Sequence, residues 1–123
     1  MANNPRVRDV MSSSVETIQS DESVSEAAKR MRSEDIHALL VTTSPPSIIT
    51  SSDIMQAVAQ EKDSSALEVS DLMTESVETV PPTLRAGEAA AMMTTFGISH
   101  LPVLDGGDYV GIISSADITE EFS

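Results

Sequence analysis

The chain predicts an α+β fold of two tandem β-α-β-β-α repeats with two small sheets. Three observations carry this. Val7-Arg8-Asp9-Val10-Met11 returns as Val69-Ser70-Asp71-Leu72-Met73, and Val15-Glu16-Thr17-Ile18 returns as Val77-Glu78-Thr79-Val80, both at an offset of 62 residues. Ile48-Ile49-Thr50-Ser51-Ser52-Asp53-Ile54 returns as Ile112-Ile113-Ser114-Ser115-Ala116-Asp117-Ile118 at an offset of 64. Within each copy the apolar period switches from strand-like to helical and back. A duplication of this kind sets the unit that must bury a core. Half of 123 residues is small for an independent domain, so two fused copies make one body of ordinary size.

The elements follow in order. Val7–Met11 is an irregular lead-in, and Val15–Ile18 a short strand. Val24, Ala27, Ala28 and Met31 recur at i, i+3, i+4 and i+7, which predicts a helix near Ser23–Ser33 with those residues inward. Asp21 or Ser23 supplies its N-cap, and Lys29, Arg30 and Arg32 form its solvated face. Strands at Ala38–Thr42 and Ser47–Thr50 flank a Ser44-Pro45-Pro46 turn. A helix from Ser52 to Glu61 turns Ile54, Met55 and Val58 inward. Residues 63–68 link repeat 7–62 to repeat 69–122. In the second copy, Arg85–Thr95 is helical with Ala86, Ala89, Ala90 and Met93 inward, and Gly97 ends it. Strands at His100–Leu104 and Tyr109–Ile113 meet at the hairpin signal Asp105-Gly106-Gly107-Asp108. The two-residue slip in offset predicts a longer loop there, and a last short helix starts near Ser115.

Composition narrows the function. Twenty acidic against seven basic residues give a net charge of −13, which repels nucleic acid. No apolar run approaches the roughly 20 residues that cross a bilayer, so neither nucleic acid nor membrane is an expected partner. The absence of cysteine excludes disulfides and thiolate metal sites and suits a reduced cytoplasm. The excess of Asp and Glu, with lysine only at positions 29 and 62, is what a salt-rich cytoplasm favours. Self-repulsion reaches about 10 Å at 0.1 M salt but only about 3 Å at 1 M. The expected result is a melting temperature that climbs as NaCl rises to molar levels. A flat salt profile would remove the halophilic reading.

The duplicated pattern resembles the CBS domain, a family found as tandem pairs also termed Bateman modules. The likeness spans Val7–Phe122. It rests on V-x-D-h-M at Val7 and Val69, h-x-T-h at Val15 and Val77, Glu-Ala-Ala at Glu26 and Glu88, Leu-Pro-Val at Leu101, and h-h-[ST]-x-x-D-I at Ile48 and Ile112, where h is apolar. The resemblance implies repeats packed sheet to sheet with pseudo-twofold symmetry and no catalysis. It implies a regulatory role: an adenosyl ligand (AMP, ADP, ATP or S-adenosylmethionine, sometimes NAD) bound in clefts between the repeats. It also implies a homodimer, an associated regulated protein that the sequence does not identify, and no obligatory cofactor. The alternative is an interaction or dimerisation module without a working nucleotide site. An enzyme is disfavoured, because no nucleophile elbow, phosphate-loop glycine run or metal-ligand cluster is present.

The ligand residues follow from the same positions. Thr50 and Ser114 each close a strand just ahead of a helix, where free amides and the helix dipole favour a phosphate. Asp53 and Asp117 lie one turn further on, and a carboxylate accepts two hydrogen bonds from adjacent ribose hydroxyls. The pattern [ST]-x-x-D is equally a capping box, in which the aspartate serves the backbone alone. By resemblance, Val15 and Thr17, Val77 and Thr79, Ala38, and Pro102 beside His100 border the adenine. His100 alternates away from Leu101 and Val103, which turns it toward a phosphate. The family pattern has Gly before the apolar pair, as at Gly111; the first copy has Ser47 instead, so the Ser114/Asp117 site ranks above Thr50/Asp53.

Overall fold

In chain order the elements are α1 (Val7–Val10), β1 (Thr17–Ile18), α2 (Val24–Glu34), β2 (Ala38–Val41), β3 (Ser47–Thr50), α3 (Ser51–Ala59), α4 (Val69–Leu72), α5 (Ala86–Phe96), β4 (His100–Asp105), β5 (Asp108–Ser114) and α6 (Ser115–Glu121). They come from a computed structural model that describes residues 4–122. The chain divides into two compact units. One is Glu16–Val77; the other joins the chain up to Val15 to the chain from Glu78 onward. Each copy's lead-in therefore lies in the unit built from the other copy.

In the unit Glu16–Val77, β1 runs parallel to β2 and β2 antiparallel to β3. Ser23 caps α2, its hydroxyl accepting from the Glu26 amide at 3.0 Å, and Val24, Ala27 and Met31 are buried as the helical spacing requires. They pack on Ile18, Leu39, Val41 and Ile49, and Val69 of α4 completes this core. The lead-in is one turn of helix rather than irregular, and so is its counterpart α1. Asp71 and Asp9 make both turns possible, each accepting from the backbone amide three residues earlier, at 2.8 and 3.0 Å. Residues 63–68 are tied to the start of α2, where Val24 and Ser25 donate to the carbonyls of Leu67 and Ser64. Asp63 opens that segment, and its carboxyl is held below the ordinary aspartate range by the Ser65 hydroxyl and amide.

In the other unit β4 and β5 form an antiparallel pair, with α5 and α6 alongside. Val7 of α1 is fully buried among Val80, Leu101, Val103 and Ile113. The two extra residues of the second copy do not lengthen a loop. They extend the strands to a two-residue Gly106-Gly107 turn, with a register shift at Val103/Leu104. Both turn residues have positive φ, 58° and 96°, which glycine adopts without a Cβ penalty. The strand expected at Val77–Val80 shrinks to one bridge, Val80 with Val103. In the first copy Leu40 donates to Glu16 at 3.0 Å. The equivalent residue is Pro102, which has no N–H to give.

The last helix of the first copy also departs from expectation. Ala57 is buried and Ile54 packs on the core, but Met55 is 72% and Val58 59% exposed. Burial follows the Ile54–Ala57 stripe, and Met55, about 100° round the helix from Ile54, faces away.

Gly111 has a local cause. A Cβ there would lie 2.6 Å from the Ser12 carbonyl oxygen, and Ser12 and Ile112 exchange backbone hydrogen bonds at 3.0 Å. In the other unit Thr74 and Ile48 make the same exchange at 2.8 and 3.0 Å. There Ser47 stands in place of the glycine, buried, with its hydroxyl 2.7 Å from that of Thr43. Glycine at 111 admits the close approach of Met11 and Ser12 from the chain's own lead-in. Gly111→Ala is expected to cost about 2 kcal/mol, read as a lower denaturation midpoint with an unchanged slope.

Candidate functional site

The two strand-to-helix corners have the same construction. In the first, Thr50 ends β3 in extended conformation and is the N-cap of α3. Its amide donates to Asp53 Oδ2 at 2.8 Å, its hydroxyl lies 3.0 Å from the same oxygen, and the Asp53 amide returns a bond to Thr50 Oγ1 at 3.3 Å. In the second, the Ser114 amide donates to Asp117 Oδ2 at 2.9 Å and the Asp117 amide to Ser114 Oγ at 3.0 Å. Both are complete capping boxes. Each occupies only Oδ2; among the described residues, neither Oδ1 has a hydrogen-bond partner. The box fixes the carboxylate and leaves one oxygen to accept from a hydroxyl.

Sheet register decides which of the expected residues join these corners. Ala38 sits directly across from Thr50, and His100 across from Ser114. These positions are equivalent, so the corners differ by a small apolar side chain in one and an imidazole in the other. His100 Nδ1 lies 3.1 Å from Ser99 Oγ. Pro102 is buried two residues along the same strand. Thr79 precedes the Val80 bridge in that unit, and Thr17 pairs with Leu40, two residues from Ala38. Val15 and Val77 are separated from their neighbours in the motif. Val77 donates to Pro46 at the far end of β3 from Thr50, whereas Thr79 belongs to the other unit. Val15 likewise ends one unit, and Thr17 lies in the other.

Two features escaped the sequence reading. Arg30, expected on a solvated helix face, donates to the Thr17 carbonyl at 2.6 Å and pairs with Glu22 and Glu26 at 3.5 and 3.8 Å. It borders a polar cavity of about 430 Å³ with Thr42 and Gln19. A second cavity of about 310 Å³ is lined by Asp53, Gln56 and Gln60, with Lys62 and Asp71. The polar spacing 53, 56, 60 was readable; the arrival of Asp71 from α4 was not.

The sequence profile of the CBS domain matches residues 7–60 and 69–123. The crystal structure of the CBS domain pair of protein MJ0100, in complex with 5′-methylthioadenosine and S-adenosyl-L-methionine, is similar at 32% identity and TM-score 0.83, over 98% of this chain and 97% of that one. The hexameric CBS-CP12 protein from bloom-forming cyanobacteria is similar at 26% identity and TM-score 0.88, over 94% of this chain and 67% of that one. Homoserine O-acetyltransferase of Methanococcus vannielii is 31% identical over 117 residues, which are 92% of this chain and 24% of that enzyme. The chain thus spans about a quarter of the length of such enzymes.

Proposed function

The chain belongs to the CBS domain family, as a tandem pair, and from that premise we propose that it is a regulatory module that catalyses nothing itself. It binds an adenosyl ligand at its strand-to-helix corners and signals through a change of conformation or of dimer. The observation that carries this reading is the duplicated corner with an open carboxylate oxygen on Asp53 and on Asp117. Those oxygens take ribose hydroxyls; Thr50 and Ser114 face the phosphate or its equivalent; Ala38 and Thr17 in one half, and Pro102, His100, Thr79 and Val15 in the other, border the base. The adenosyl compounds bound by the MJ0100 domain pair support the ligand class. A net charge of −13 disfavours ATP against AMP, and favours the cationic sulfonium of S-adenosylmethionine, most strongly at low salt.

The module works as a homodimer beside an associated protein, in the cytoplasm. Met55 and Val58, exposed on α3, supply apolar surface for self-association. Among the described residues no helix is long and apolar enough to cross a membrane.

A second reading has its own observation. Both aspartates already serve complete capping boxes, and capping alone leaves an interaction module with no ligand. Thermal unfolding with AMP, ADP, ATP, S-adenosylmethionine and NAD in turn separates the two, with sedimentation reporting the dimer. A shift with one ligand, reduced by Asp117→Ala, supports the sensor; no shift with any leaves the interaction module.

A further inference from the structure

The cavity beside Asp53 has a charge pattern that an adenosine nucleotide does not use. Asp53, Gln56 and Gln60 line it along α3 and its C-cap, and Lys62, Asp71 and Leu72 line it too. Asp71 commits only Oδ2, to the Glu68 amide, so its Oδ1 is open like that of Asp53. Lys62 is one of two lysines in a chain with 20 acidic residues, and among the described residues its ammonium makes no ion pair. A cation and an anion lining one cavity of about 310 Å³, together with two amides, match a zwitterion. A polyphosphate would meet two carboxylates and one ammonium there, and a metal ion would meet the ammonium.

We infer that this cavity holds the α-amino-acid tail of an adenosyl ligand, with its α-carboxylate on Lys62 and its α-ammonium on Asp71 Oδ1. This deepens the adenosyl reading and rests on it: the ribose stays on Asp53. Asp53 and Gln60 are about 10 Å apart along the helix axis. The tail of S-adenosylmethionine spans C5′, sulfur, Cγ, Cβ and Cα before its carboxylate, and the flexible lysine stem covers the remainder. The apolar stretch of that tail passes Ala57 and Leu72, which line the same cavity. The other copy is not equivalent, because the position of Gln56 is taken by Glu120, whose carboxylate repels the ligand's own. Discrimination between adenosyl ligands is thus a property of the first copy, and the second copy's corner reads only the nucleoside.

S-adenosylmethionine and 5′-methylthioadenosine differ by this tail, which makes them the test pair. Calorimetric titration of the full chain carrying Asp117→Ala confines the reading to the first copy. The expected result is binding of S-adenosylmethionine about tenfold tighter than of 5′-methylthioadenosine, the worth of one or two charge-assisted hydrogen bonds. Lys62→Met should abolish that difference, Lys62→Glu should reverse it, and both should leave 5′-methylthioadenosine unaffected. Lys62 is exposed, so neither variant threatens the fold. Equal affinities in the starting protein, or Lys62 variants that leave the difference intact, would overturn the inference while the adenosyl reading stands. Failure of both compounds to bind, or binding of both that survives Asp53→Ala, would overturn the adenosyl reading at this corner and this inference with it.

Discussion

Val7→Asp is expected to unfold the half of the protein that contains the second copy, although Val7 belongs to the first. Val7 is fully buried against Val80, Leu101, Val103 and Ile113, and its amide donates to the Leu84 carbonyl at 2.7 Å. An unpaired carboxylate in that position costs several kcal/mol, against a total stability on the order of 5–15 kcal/mol for a domain. Val69→Asp should do the reverse, because Val69 is fully buried with Ile18, Leu39, Val41 and Ile49. Amide hydrogen exchange reads the difference by segment. Val7 variants should lose protection across β4 and β5 first, and Val69 variants across β2 and β3. Should the aspartates unfold everything, Val7→Ala and Val69→Ala, at about 2 kcal/mol each, keep the comparison open. Loss of protection in each variant's own copy would mean that the lead-ins are not exchanged.

That exchange marks the limit of what the sequence discloses. Val7 and Val69 are the same residue type in the same motif, so no pattern says whose core each one fills; only the path of the chain decides. The corners were legible because their chemistry is local. A strand ending in Thr50 or Ser114 with an aspartate three residues on admits a capping box whatever surrounds it. Gly106-Gly107 was legible for the same reason, since positive φ at a tight turn is a requirement on those residues alone. The inward face of α3 was misread because Ile54 and Met55 share their apolarity but lie about 100° apart round the helix, and Ala57 carried the burial that Val58 was expected to carry. The lost strand near Val80 was readable in principle. Pro102 removes the donor that Leu40 provides, but this follows only once the two positions are aligned and the parallel pairing is known.

Whether the corners bind or merely cap is settled by comparing baselines with shifts. A ligand at about 100 times its dissociation constant adds roughly 2.7 kcal/mol, several degrees for a chain of 123 residues. Asp117→Ala removes an N-cap partner as well as a ribose acceptor, so its melting temperature without ligand should fall by the worth of a cap, about 1 kcal/mol. Ser23→Ala supplies the control. Ser23 accepts from the Glu26 amide at 3.0 Å, as Ser114 does from the Asp117 amide at 3.0 Å, but it caps α2, in the unit that does not contain Asp117. Both variants should lower the baseline by similar amounts. Only Asp117→Ala should also diminish the ligand shift, and adding Asp53→Ala should remove what remains. If Ser23→Ala and Asp117→Ala behave alike in every ligand, the carboxylates are caps and nothing more. A selective loss assigns the Asp117 carboxylate to the ligand beyond its cap, with Oδ1 the oxygen that the capping box leaves open.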